Sequence, residues 1–97
     1  MKALEYYKRK EGVQNMTVTQ IQIRKRFETG PLKAVVSVTF DNQLVVHDIK
    51  VVDRAGEPLL VMPNRYSEDK GYKDIVHPVS SDFRGAIEKQ IFSYVFD

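Results

Sequence analysis

Residues 45–53 read Val45-Val46-His47-Asp48-Ile49-Lys50-Val51-Val52-Asp53, a β-branched run with a histidine and an aspartate side by side. Strand side chains alternate faces, so His47 and Asp48 point to opposite sides and do not share one proton or one metal. Upstream, Leu32, Ala34, Val36, Val38 and Phe40 alternate with Lys33, Val35, Ser37 and Thr39, which predicts a partner strand. Asp41-Asn42 between them tolerates positive φ in a tight hairpin. A two-residue loop pairs Phe40 with Gln43 and turns Val38, Val36 and Ala34 toward Val45, His47 and Ile49. His47 then falls on the apolar side, as a hydrogen-bonded core imidazole. A three-residue loop would set Val36 and Ala34 opposite Asp48 and Lys50 and bury two charges, because a one-residue slip reverses every face. The two-residue register is the expectation.

Working outward, Ile21, Ile23 and Phe27 alternate with polar residues from Thr17 onward, which predicts a first strand closed by the turn Glu28-Thr29-Gly30-Pro31. The turn Arg54 to Pro58 leads to a buried fourth strand, Leu59 to Pro63, followed by a long polar loop over 64–73 and a short fifth strand, Ile75 to Pro78. Val79-Ser80-Ser81-Asp82 supplies N-cap residues for a helix whose apolar stripe is Phe83, Ala86, Ile87, Gln90, Ile91 and Tyr94. The predicted architecture is α+β, a small antiparallel β-meander of four to five strands with a C-terminal α-helix. Residues 1–15 read as a charged N-terminal extension ahead of a single domain, 16–97.

A chain of 97 residues with 42% hydrophobic content supports one small core. The absence of cysteine excludes a disulfide scaffold, a thiolate zinc site and a cysteine nucleophile. With no signal peptide and no apolar run of membrane-spanning length, a cytoplasmic protein is expected. A net charge of +2 and a pI near 8.9 permit an anionic partner without demanding one. The two histidines and Asp74 are too few for a metal-dependent enzyme built on His47, Asp74 and His77. No catalytic residue, metal, cofactor or small-molecule substrate is expected.

Cations carry the better clue. Pairing Phe27 with Leu32 sets Arg26 opposite Lys33 and Arg24 opposite Val35, while the second hairpin sets Lys33 opposite Lys50 and Val35 opposite Asp48. Arg24, Arg26, Lys33 and Lys50 then crowd around one carboxylate, and opposed like charges call for an anion such as a phosphate backbone. The 64–73 loop adds Arg65, Tyr66, Lys70, Tyr72 and Lys73, the combination that grips phosphates and stacks on unpaired bases. On the helix, Arg84 and Lys89 are the only cations, and Glu88 stands four residues after Arg84 as an ion-pair partner. Phe92 and Phe96 on the far side of the helix, and Val35, Val46 and Val52 on the polar strand face, exceed what one core absorbs and predict a homodimer. The competing cover for those strands is the 15-residue leader, folded over them as a lid.

The blocks Val45-Val46-His47-Asp48-Ile49-Lys50-Val51-Val52-Asp53, Val61-Met62-Pro63, Tyr72-Lys73-Asp74-Ile75-Val76-His77-Pro78-Val79 and Arg84-Gly85, in this order, resemble the SpoVG family, the bacterial stage V sporulation protein G group of septation proteins. The likeness covers about residues 16 to 95. It implies a dimeric, cytoplasmic β-domain with a C-terminal helix, linked to sporulation and septation control, that regulates transcription by binding DNA and, in some members, RNA. It also implies that basic residues on the helix and the segment before it help choose the nucleic acid; the matching positions are Arg65, Lys73, Arg84 and Lys89. The chain departs from the family pattern in its 15-residue leader and in ending at Asp97, where members often continue in a polar, acidic tail. A protein-interaction module of cell division without nucleic-acid binding is the alternative.

Overall fold

The computed structural model describes residues 16–96, and the 15-residue leader lies outside them. β1 (Val18–Arg26), β2 (Leu32–Phe40), β3 (Leu44–Arg54) and β4 (Glu57–Val61) form an antiparallel sheet in the order β1-β2-β3-β4, the expected meander. The helix α1 (Ser81–Phe96) packs on one face, which makes the fold α+β. Ala34, Val36 and Val38 from the central strand β2 are fully buried, as are Ile49 and Val51 from β3, Leu60 from the edge strand β4 and Ile91 from the helix. This is the apolar alternation of the sequence made into one core.

The register of β2 against β3 differs from the expectation. Three residues, Asp41 to Gln43, connect the strands, with Asp41 and Asn42 both at φ 54°. Phe40 pairs with Leu44 and Val38 with Val46, not with Gln43 and Val45. The charge burial this would cause farther along is avoided by a β-bulge. Between Val38↔Val46 and Val36↔Ile49 the strand β3 carries an extra residue, so His47 and Asp48 together oppose Ser37. Asp48 absorbs the extra length at φ 65°, a left-handed conformation that aspartate tolerates better than most residues. Beyond the bulge the phase is reset, so Ile49 and Val51 face inward and Lys50 outward. His47 is therefore exposed on the outer face, and Val46, expected on the polar face, packs against the core instead.

Two further irregularities undo the predicted cation pairing. A shift in β1 between Ile23 and Lys25 places Lys25 opposite Val35 and Arg26 opposite Ala34. A shift in β2 between Leu32 and Ala34 leaves Lys33 unpaired in the ladder, and the register set by the His47-Asp48 bulge puts Lys50 opposite Val35. Lys33 thus faces neither Arg26 nor Lys50, and Arg24 does not face Val35.

The helix is capped by Ser80, whose Oγ accepts from the Phe83 N–H at 3.1 Å. Its buried stripe is Ile87, Ile91 and Val95, with Phe83 and Phe92 half-buried beside it. Ala86, Gln90 and Tyr94 are exposed, contrary to the expected stripe, because the i, i+4 series from Phe83 runs through Val95. Phe92 likewise turns to the core, whereas Phe96 remains exposed. The last helical turn contains no basic residue. Arg26 of β1 supplies the missing cation, donating from Nη1 to the Val95 carbonyl at 3.0 Å, where the helix dipole is negative.

The segment expected to be a loop is a second sheet. β5 (Asn64–Ser67) and β6 (Gly71–Asp74) form an antiparallel hairpin separate from the four-stranded sheet. Gly71, at φ 73°, takes the left-handed conformation needed to leave the turn. Residues 75–78, expected as a fifth strand, form no strand; Ile75 instead donates its N–H to the Pro63 carbonyl at 2.7 Å.

Candidate nucleic-acid interface

The sequence-predicted cations fall into separate environments. On the outer face of the sheet, Lys25 and Lys50 flank Val35 from either side. Lys25, which the sequence reading passed over, also lies over the Phe27 ring at 5.2 Å from its centroid. Arg24 forms an exposed ion pair with Asp48 at 3.4 Å, a contact worth little in water. Next to it, the buried Ser37 hydroxyl is hydrogen-bonded to His47 Nδ1 at 2.8 Å. The histidine thus satisfies a polar group that the strands cover, though from the outer face and not from within the core. Among the described residues no group of three or more His, Asp or Glu side chains is placed to hold a metal ion. Arg26 is removed from this surface altogether, since its guanidinium lies at the helix C-terminus.

On the helix, Arg84 is committed twice. Its Nε donates to Glu88 Oε2 at 3.1 Å and its Nη2 to the Leu60 carbonyl at 3.0 Å, so it fastens the helix to the edge strand β4. Lys89 is exposed, beside Gln90 and Tyr94.

The hairpin concentrates the remaining candidates. Arg65 and Lys73 are direct cross-strand partners, and so are Tyr66 and Tyr72. Among the described residues the ion pairs are Arg24–Asp48 and Arg84–Glu88, so neither Arg65 nor Lys73 is neutralised by a carboxylate. Opposed like charges on adjacent strands are unfavourable, by a fraction of a kcal/mol up to about 1 kcal/mol. The tyrosine rings touch at 5.1 Å between centroids with a 58° tilt, an attractive geometry that offsets part of this repulsion. Sequence reasoning found these residues as a mixture; what it lacked was the pairing, which needs the turn at Glu68-Asp69-Lys70.

Elsewhere the surface is apolar. Phe40, Val46, Ile49 and Met62 of the sheet side and Phe83 and Ile87 of the helix line a cleft of about 130 Å³. Around it and along the helix, Leu44, Ile75, Val76, Val79, Tyr94 and Phe96 are exposed. No helix among the described residues is long and apolar enough to cross a membrane.

Comparison with known proteins gives one answer. The family model described as SpoVG matches residues 16–95. The chain is 46% identical over 76 residues to the "Putative septation protein SpoVG" of Caldanaerobacter subterraneus subsp. tengcongensis, covering 78% of this chain and 84% of that protein. It is equally similar, at 46% over 76 residues, to the proteins of the same name from Thermoanaerobacter sp. strain X514, covering 78% of this chain and 83% of the relative, and from Clostridium perfringens strain 13, covering 78% and 84%.

Proposed function

Because this chain belongs to the SpoVG family, we propose that it is a non-catalytic, cytoplasmic, nucleic-acid-binding regulator of septation and sporulation, acting on DNA or RNA as a homodimer. The observation that carries the reading is the pairing of Arg65 with Lys73, two directly opposed cations without an ion-pair partner. A phosphate placed between them relieves their repulsion and gains two charge-assisted contacts. Lys25 and Lys50 on the outer sheet face form a second basic surface, while Arg84 is held by Glu88 and Leu60 and contributes less.

Replacing both Arg65 and Lys73 by glutamine is expected to weaken binding to a short oligonucleotide and to reduce the slope of log affinity against log salt by about two units, roughly one per lost phosphate contact. Unchanged affinity and slope in this variant, with loss in a Lys25→Gln, Lys50→Gln variant, would move the site to the sheet. Binding to neither DNA nor RNA at any salt concentration would favour the protein-interaction alternative.

Support for the dimer comes from the exposed apolar residues Leu44, Ile75, Val76, Val79, Tyr94 and Phe96. Phe92 and Val46, expected among the uncovered apolar residues, pack against the core instead. Sedimentation equilibrium at micromolar concentration is expected to give twice the 11.2 kDa chain mass, and a single monomeric species refutes the dimer.

A further inference from the structure

We infer that the β5–β6 hairpin is a base-stacking platform, so that the preferred ligand is a single strand with unpaired bases, RNA or DNA, in preference to a duplex. The inference rests on the nucleic-acid reading above and specifies its ligand. Its first support is exposure. Tyr66 is 59% and Tyr72 76% exposed, although both are large rings and stand as direct cross-strand neighbours on the hairpin. They touch each other and leave most of their surfaces to water. A ring pair that only stabilised the hairpin would gain by folding back on the sheet; this one projects from it.

The second support is the layout of the surface around them. Two shallow depressions adjoin on the hairpin, one bounded by Arg65, Tyr66, Lys73 and Asp74, the other by Tyr72, Lys73, Asp74 and His77. Each has its own tyrosine, and Lys73 and Asp74 border both. Alternation along β5 and β6 sets Tyr66, Tyr72 and Asp74 on one face of the hairpin and Arg65 and Lys73 on the other. A flat base against a ring thus meets the Asp74 carboxylate, which accepts from exocyclic amines, while the two cations meet phosphates from the opposite side. Bases inside a duplex present neither their faces nor their pairing edges, so this arrangement favours a strand that is already open.

The third support is charge. Over residues 64–74 the cations are Arg65, Lys70 and Lys73 and the carboxylates Glu68, Asp69 and Asp74, three against three, for a net charge of zero. Phosphate attraction by the pair Arg65 and Lys73 is thus opposed by acidic neighbours. Stacking, which is tolerant of sequence, must supply much of the affinity.

The test compares four probes of equal length with the full chain at two salt concentrations: a mixed-sequence single-stranded RNA, the matching single-stranded DNA, the DNA duplex, and a single strand whose sugars lack bases. The wild type is expected to bind the two base-bearing single strands at least tenfold more tightly than the duplex or the abasic strand. The double substitution Tyr66→Ala, Tyr72→Ala should remove at least tenfold of the single-strand affinity and leave duplex binding within twofold, whereas Tyr66→Phe, Tyr72→Phe should bind as the wild type does. The abasic comparison requires no substitution, so it decides even where the alanine variant folds poorly. Equal binding of base-bearing, abasic and duplex probes overturns the stacking platform while leaving nucleic-acid binding intact. Absence of binding to all four overturns both. A difference between the RNA and DNA strands identifies which source of unpaired bases is preferred.

Discussion

Ile91→Ala is expected to destabilise the domain by about 3 kcal/mol, within the range for truncating a fully buried aliphatic side chain. Ile91 is 0% exposed at the middle of the helix stripe, between Ile87 and Val95. The described fold is small, and domains of this size have roughly 4–12 kcal/mol of total stability, so one such cavity removes a large share of it. A loss of this size should lower the melting temperature by more than about 10 °C. Gln90→Ala is the control: Gln90 is the preceding residue on the same helix, was expected on the packed stripe, and is exposed. Its replacement should change stability by no more than about 0.5 kcal/mol. Similar melting temperatures for the two variants would show that the helix does not dock through the stripe of Ile87, Ile91 and Val95.

Asp48→Val should cost about 2 kcal/mol, and Asp48→Gly close to nothing. Asp48 holds the bulge at φ 65°, a conformation in which an L-residue with a bulky Cβ is penalised by roughly 1–2 kcal/mol and glycine is not. A β-branched residue meets the penalty in full. The exposed ion pair to Arg24 disappears in both variants and contributes at most about 1 kcal/mol, so the contrast between valine and glycine isolates the backbone term. Urea unfolding of the two variants checks this. Equal midpoints would mean that the left-handed residue is not what resets the phase of β3.

The strand order, the helix and its cap at Ser80, and most of the core were legible because each is a local pattern: alternation, an i, i+4 stripe, a serine before an apolar run. The register was not. Pattern reasoning assumes an unbroken period of two, and four strand irregularities violate it, at Thr19, near Arg24, at Lys33 and at His47-Asp48. Faced with a three-residue loop that would bury Asp48 and Lys50, the sequence reading shortened the loop; the protein keeps the loop and inserts a bulge. That choice put His47 on the wrong face and created a cation cluster that does not form. The adjacency of His47 and Asp48 was the available signal, since two polar residues in succession within an apolar strand suit two residues sharing one partner. The hairpin at 64–74 was hidden by its charge content, although Arg65-Tyr66-Ser67 and Gly71-Tyr72-Lys73 mirror each other around a polar turn. For the candidate site, residue types were readable and pairing was not, because opposition across strands is a property of the turn.

At Met62-Pro63 the main sheet stops and the small one begins, and this separation has a kinetic consequence. The hairpin is tied back by the Asn64 side chain, donating from Nδ2 to the Met62 carbonyl at 2.9 Å, and by the Ile75 N–H to Pro63. None of the fully buried side chains of the core belongs to it. Opening it therefore exposes little apolar surface, and its backbone amides should exchange with solvent deuterium through a local fluctuation far cheaper than global unfolding. The amides of Val36 and Val38, in the middle of the four-stranded sheet, should exchange only when the whole domain opens. The two sheets of one small chain would thus run on different clocks, and a ligand seated on the hairpin would slow one of them while leaving the relative order of protection within the other unchanged.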